Sequence, residues 1–431
     1  MIDDMRPRPR HASEPEPIRR PMPQYEPRLP SRPDFRTPQE IAAEEGDNPA
    51  TDEPEEEINM AEETFTPKAK KPRRSLKEWL KSRTKKQWVI IIVIAVLVLG
   101  GASAGAYFLF FHKKAPVVSV TKPKKSAPAP VKPTTVASSL TGLQVAPDVN
   151  KRPVTAVMIE NSTDARPQSG LDQAGVVFEA VAEGGITRFE ALFQDTQPAY
   201  LGPVRSVRPY YIQWGMGFDA AIAHVGGSPE ALQDMRDWKA KDLDQFANGN
   251  YYQRINSRDA PHNVYTSIDQ LNQIESNKGY GQPSFTGFLR KNEQPAKTPT
   301  AKSIDVNISS SLYNSHYDYD PSINAYSRAQ AGAPHMVVDK NGTQTQIKPK
   351  VIVVLTMSQG LEADDHHTSY GTIGTGHAYI FQDGIVTEGT WKKNSSSENF
   401  TFTDNGGKPI ALNPGQTWVS IVGDTSYVSY K

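Results

Sequence analysis

The sequence predicts an α/β first half and a β-rich second half, carried outside a membrane by one transmembrane helix behind a disordered N-terminal tail. Three observations carry that reading. Residues 88–111 form an uncharged, predominantly apolar run, residues 1–66 combine proline and charge without apolar periodicity, and from residue 140 onward short apolar runs alternate with turn dipeptides.

The tail is taken as residues 1–67. Ten prolines stand among arginines in residues 1–38, and residues 40–63 hold eleven acids with no Lys or Arg. Such segments bury too little apolar surface to offset the entropy of ordering, so disorder is expected. Residues 68–87 are a basic juxtamembrane segment, with ten Lys/Arg against one Glu between Lys68 and Lys86. The following 24 residues would reach about 36 Å as a helix, enough to cross a bilayer with some tilt. Ten basic residues on one flank against six in residues 113–132 place the amino terminus in the cytoplasm by the positive-inside rule. The expected location is therefore a cell membrane crossed once, with the C-terminal part outside and the lipid bilayer as a partner. Gly101 and Gly105 form a G-x-x-x-G pattern that suits a helix-mediated homodimer. Residues 112–139 read as a Pro/Lys-rich extracellular linker.

The formal net charge of zero conceals this segregation. Beyond the tail, basic segment and linker remain 24 basic and 30 acidic residues, an acidic balance that argues against nucleic-acid binding. Cysteine is absent, which excludes disulfides, thiolate metal sites, a lipid-modified cysteine and a cysteine nucleophile.

Residues 140–295 are expected to form the α/β domain. Val154 to Glu160, Gly175 to Val181, Ile186 to Phe193 and Ala220 to Val225 are apolar runs of strand length. Ser228-Pro229-Glu230 supplies a helix cap, a first-turn proline and a first-turn acid, and Thr266 or Ser267 caps a second helix. Residues 300–431 read as β-rich: Asn341-Gly342, Asp383-Gly384 and Asn405-Gly406 are hairpin turns among runs such as Val351 to Thr356 and Thr417 to Val422.

Candidate chemistry concentrates in the first domain. Arg205 and Arg208 lie three apart, and a helix starting near Ser206 would let both guanidiniums meet an anion at its N-terminus. The alternative is a buried network in which these arginines and Arg188 pair with Glu179 and Glu183. His224 ends an apolar strand before a glycine turn, which makes it, with Glu183, a candidate for a general base; the alternative is that His224 is a satisfied core residue. His262 and Asn263 share a polar loop with Arg258 and Asp259, a place where binding residues often sit. Asp364-Asp365-His366-His367 has metal-ligating residue types, but successive residues rarely ligate one ion and no H-E-x-x-H is present, so no metal site is expected. No G-x-S-x-G, P-loop or dinucleotide fingerprint occurs in this region, and no cofactor is implied.

Several motifs together resemble the YerB-like lipoproteins. They are Arg152-Pro153 with Ala156-Val157-Met158-Ile159, Ala165-Arg166-Pro167-Gln168-Ser169-Gly170-Leu171, Ala182-Glu183-Gly184-Gly185-Ile186-Thr187-Arg188-Phe189, Gly202-Pro203-Val204-Arg205-Ser206-Val207-Arg208 and His224-Val225-Gly226-Gly227-Ser228-Pro229. Asp383-Gly384 through Trp391, with Pro414-Gly415-Gln416-Thr417-Trp418, is similar to that family's C-terminal half. The resemblance implies a two-part extracytoplasmic domain of unknown activity, and this chain departs from lipoproteins in lacking a lipobox cysteine. A looser, fold-level similarity to LytR-CpsA-Psr proteins implies arginines holding the pyrophosphate of a glycopolymer.

The leading expectation is a cell-envelope protein binding an anionic or glycan ligand, such as a wall glycopolymer, through Arg166, Arg188, Arg205 and Arg208. The alternatives are an enzyme acting on phosphate-linked envelope polymers and a structural or assembly protein. An open cleft would favour the first two, and closure of every arginine by a carboxylate the third.

Overall fold

A computed structural model describes residues 84–86, 89–90, 92–94, 96 and 134–431. The chain divides into one unit of residues 1–122 and another of residues 123–431. In the first, the described residues from Lys85 to Val96 are helical. The tail read as residues 1–67 lies outside the described residues, as do most of the linker and most of the apolar run.

The expected transmembrane helix is not supported. Among the described residues no helix is long and apolar enough to cross a membrane. Within 88–111 only positions between Val89 and Val96 are described.

The second unit is built mainly of strands. In chain order these are β1 (Thr155–Glu160), β2 (Val176–Glu183), β3 (Ile186–Phe193), β4 (Ala221–Ala223), β5 (Lys241–Asp242), β6 (Ser303–Val306), β7 (Ser315–Asp320) and β8 (Ala325–Gln330). They continue as β9 (Ala333–Pro334), β10 (Val351–Thr356), β11 (Gly374–Gln382), β12 (Ile385–Lys393), β13 (Thr401–Asp404), β14 (Thr417–Val422) and β15 (Val428–Tyr430). Among the described residues of this unit the α-helices are α1 (Pro209–Met216), α2 (Pro229–Asp237) and α3 (Ile268–Lys278).

Ten strands form one mixed sheet in the order β13-β12-β11-β10-β14-β2-β3-β1-β4-β5. Five of them come from the first segment and five from the second, joined where β14 runs parallel to β2 from Thr417 opposite Val176 to Ser420 opposite Glu179. This corrects the expected split into an α/β half and a β-rich half: both segments of the second unit are β-rich, and they share a sheet. The apolar runs are buried along their whole length because both faces are covered, a pattern that sequence periodicity alone does not assign to a particular layering.

Alternate residues of β1 show the two faces. Val157 and Ile159 join a core with α3 residues Leu271 and Ile274 and with Ile304, Tyr317 and Tyr326 of a second sheet, ordered β9-β8-β7-β6-β15. Ala156 and Met158 face the other way, into a core with Tyr210, Tyr211 and Trp214 of α1 and Met235 of α2. The helices follow local signals. Ser228 Oγ accepts from the Ala231 N–H with Pro229 in the first turn, and Ser267 Oγ accepts from the Gln270 N–H.

The arrangement aligns one edge. β1, β2, β4, β10 and β14 run the same way, so Glu160, Glu183 and the residue after β4, His224, end up along a single carboxyl edge, with the start of β3 beside them.

Candidate functional site

The carboxyl edge collects the charged residues that the sequence singles out. Gly184 and Gly185, at φ 54° and 77°, make the left-handed two-residue turn that joins β2 to β3. That turn sets Glu183 and Arg188 on adjacent strands. Arg188 donates from Nη2 to Glu183 Oε1 at 2.7 Å, and Arg208, immediately before α1, donates from Nη2 to Glu183 Oε2 at 2.5 Å. Each guanidinium spends its other terminal nitrogen on a backbone carbonyl, Ser206 for Arg188 and Val207 for Arg208. Both side chains are almost fully buried. Burial alone would raise the Glu183 carboxyl, yet the two guanidiniums overrule it and hold the pKa down at about 2. Desolvation, followed by the charge of Arg188, lowers Arg208.

The first helix begins at Pro209, three residues after the Ser206 start that the anion-site geometry requires. Arg208 is its cap residue and Pro209 its first residue, so Arg205 lies outside the helix and the two arginines do not converge on its N-terminus. Arg205 turns to Glu160 at the end of β1, with Nε 3.3 Å from Oε1. The same oxygen lies 2.9 Å from His262 Nδ1 and accepts from Ser162 Oγ at 3.0 Å. Ser162 also lies 3.3 Å from that same Nδ1. A nucleophilic relay needs the serine and the acid on opposite ring nitrogens, so this cluster is not arranged as one. His262 lines a cavity of about 470 Å³ with Arg258, Asp259 and Asp164. Arg205 is 22% exposed, and among the described residues neither of its terminal nitrogens has a hydrogen-bond partner. Arg166 donates from Nε to Asn161 Oδ1 and from Nη2 to the Asn161 carbonyl, with its guanidinium 5.2 Å from the Tyr313 ring centre.

Two candidates serve as struts. His224 is fully buried, with Nδ1 2.8 Å from the Gly226 carbonyl and Nε2 3.1 Å from Asp242 Oδ1. Both ring nitrogens are thereby engaged. Asn263 accepts from Arg254 Nη1 at 2.7 Å and donates to the Ile255 carbonyl, closing its own loop. Glu183 and His224, the proposed bases, share the carboxyl edge but are each committed to their own partners.

Glu362 was missed. It precedes the Asp364–His367 run, which brackets it in a loop closed by the Glu362 N–H donating to the His367 carbonyl at 2.7 Å. A backbone bridge between Glu183 and His367 hangs this loop on the end of β2. Glu362 is 4% exposed, and burial pushes its carboxyl up to about 7. Donor atoms of Glu362, Asp364 and His367 lie within 4.8 Å of one another, so two of the four residues set aside in the sequence are joined by a third, Glu362. No local pattern announces it, because burial of Glu362 depends on long-range packing.

Together these features define a β-rich, two-segment domain with a carboxylate–arginine network along the carboxyl edge of a shared sheet. The chain belongs to the DUF3048 family: "Protein of unknown function (DUF3048) N-terminal domain" matches residues 140–281, and the corresponding C-terminal domain matches residues 304–419. It is 32% identical over 295 residues to "Putative lipoprotein YerB" of Bacillus subtilis, covering 67% of this chain and 87% of the relative. The crystal structure of YerB from Bacillus subtilis is similar at a TM-score of 0.61 and 30% identity, covering 69% of this chain and 99% of that one. The resemblance to YerB-like proteins thus holds for both segments. The relative's name is that of a lipoprotein rather than of a membrane-spanning protein, whereas this sequence has no cysteine.

Proposed function

We propose that this protein is an extracytoplasmic binding module associated with the cell envelope, which takes an anionic or glycan ligand at the face formed by Arg205 and His262. One observation carries this reading. Of the four arginines nominated from the sequence, Arg205 alone keeps both terminal nitrogens without a hydrogen-bond partner among the described residues. It is also the one that meets, through Glu160, a histidine lining an open cavity. A planar guanidinium with two free donors suits a phosphate or carboxylate group. Arg188 and Arg208 support the site by fixing the backbone around it and contact no ligand in this reading. The envelope location rests on the lipoprotein name of the relative.

Titration calorimetry with inorganic pyrophosphate and with soluble wall-polymer fragments tests the proposal. Binding that weakens at least about tenfold in Arg205→Ala, and further with added salt, is expected for an accessible charge-assisted contact. Equal binding by wild type and Arg205→Ala, or none by wild type, overturns it.

A further inference from the structure

We propose that Glu362, Asp364 and His367 form a binding site for one divalent transition cation of the Zn²⁺ or Mn²⁺ class. The set offers two carboxylates and one imidazole, a donor combination found around catalytic zinc and other first-row metals and poorly matched to the all-oxygen shells of Ca²⁺ or Mg²⁺. The three donor atoms lie within 4.8 Å of one another. Bonds of about 2.1 Å to one ion would bring them roughly 3.4 Å apart, a closure that side-chain rotation in a six-residue loop supplies.

The loop is preorganised for this. Asp364 Oδ1 accepts from the N–H groups of His366 and His367, both at 3.0 Å, which holds the carboxylate against the turn and aims Oδ2 at the His367 ring. Asp364 and His367 also pair with each other, and a rival account stops there. That account leaves Glu362 unexplained. Its side chain is almost fully buried, and apart from the neighbouring Ser228 hydroxyl neither carboxylate oxygen has a hydrogen-bond partner among the described residues. Arg208 and Ser228 are its polar neighbours, but Arg208 has its terminal donors on Glu183 and the Val207 carbonyl. A buried acid without a cationic partner of its own, grouped with a second carboxylate and an imidazole, is explained by a cation. Asp365 and His366 of the loop, with Leu361 and Thr368 on either side of it, line a cleft of about 670 Å³ next to the three ligands. Three protein ligands beside an open cleft leave a coordination position for water or substrate.

The test uses the purified full chain, stripped with chelator and dialysed against Zn²⁺ or Mn²⁺, with bound metal counted by mass spectrometry and unfolding followed thermally. Wild type is expected to retain about one equivalent and to melt higher with metal. His366→Ala, altering the neighbouring exposed histidine, should bind as wild type does. Glu362→Gln and His367→Ala should each weaken binding at least about tenfold and lose the metal-dependent rise in melting temperature. His367 lies at the partly exposed end of the loop, so its variant remains informative even where replacement of buried Glu362 impairs folding. Retention of wild-type affinity in His367→Ala, or less than about a tenth of an equivalent in wild type, overturns the proposal.

Discussion

Arg328 donates from Nη2 to both carboxylate oxygens of Glu179, each at 2.9 Å, and so ties the five-stranded sheet to the ten-stranded one. Both side chains are wholly buried. The pair is embedded in further contacts: the Trp418 indole N–H donates to Glu179 Oε2 at 2.9 Å, Arg328 Nη2 also donates to Ser315 Oγ, and the guanidinium sits 4.5 Å from the Trp418 ring centre. Two desolvated charges gain little net stability over an apolar pair, but stranding one of them is costly.

Arg328→Ala is therefore expected to destabilise the fold by about 3–5 kcal/mol, because Glu179 is left as an uncompensated buried charge. The double replacement Arg328→Met with Glu179→Leu should recover most of that loss. Urea unfolding of the single and double variants checks this, and a double variant as unstable as the single one would rule out stranded charge as the cause.

The acid limb of stability should depend on Glu183. Its pKa is held at about 2, below the ordinary carboxylate value of 4.5, so it favours the folded state fully above pH 4.5 and ceases to do so as pH falls through about 2. The shift corresponds to roughly 3 kcal/mol, reduced somewhat by its residual exposure. Glu183→Gln should flatten the stability profile between pH 4.5 and 2 while lowering stability at pH 7. Chemical denaturation at a series of pH values measures both effects.

Glu275 on α3 gives the opposite sign. It is buried, Thr155 Oγ1 donates to its Oε1 at 2.9 Å, and desolvation raises its pKa to about 7. Between pH 4.5 and 7 the folded state holds a proton that the unfolded chain has released, so stability contributed by this group declines over that window. The loss is on the order of 3 kcal/mol. Glu275→Gln, which keeps an acceptor for Thr155, should remove this decline and be more stable than wild type at pH 8. A steeper decline in the variant would contradict the assignment.

Local signals and long-range ones separate cleanly in this molecule. Strands Ile186–Phe193, Val351–Thr356 and Thr417–Val422 coincide with apolar runs, and Asp383-Gly384 makes the β11–β12 turn with both residues at positive φ. The serine caps of α2 and α3 are legible for the same reason: each acts within three residues. The shared sheet is not, because β14 and β2 are more than 230 residues apart at their Thr417–Val176 pair. Likewise Glu179, read as a neighbour of Arg205 and Arg208, instead meets Arg328, 149 residues away on a strand whose sequence Ala-Tyr-Ser-Arg-Ala-Gln has no clear apolar alternation. The start of α1 after Arg208 rather than near Ser206 decided which arginine faces outward, and Pro209 is the residue that marks it.

That last distinction supports a prediction that separates a receptor residue from a strut. Arg208 is buried and engages Glu183 and a backbone carbonyl, whereas Arg205 is partly exposed and reaches Glu160 only at 3.3 Å through Nε. Removing Arg208 leaves Glu183 paired with Arg188 but strips its second oxygen of a donor and opens a buried polar gap, so Arg208→Ala should cost about 2–3 kcal/mol. Arg205→Ala should cost only about 1 kcal/mol, since its ion pair is long, lacks a well-formed hydrogen bond and is backed by His262 on the same Glu160 oxygen. Thermal melting without ligand ranks the two variants. Reversal of that order would make Arg205 a structural member of the network and remove the basis for placing a ligand on it.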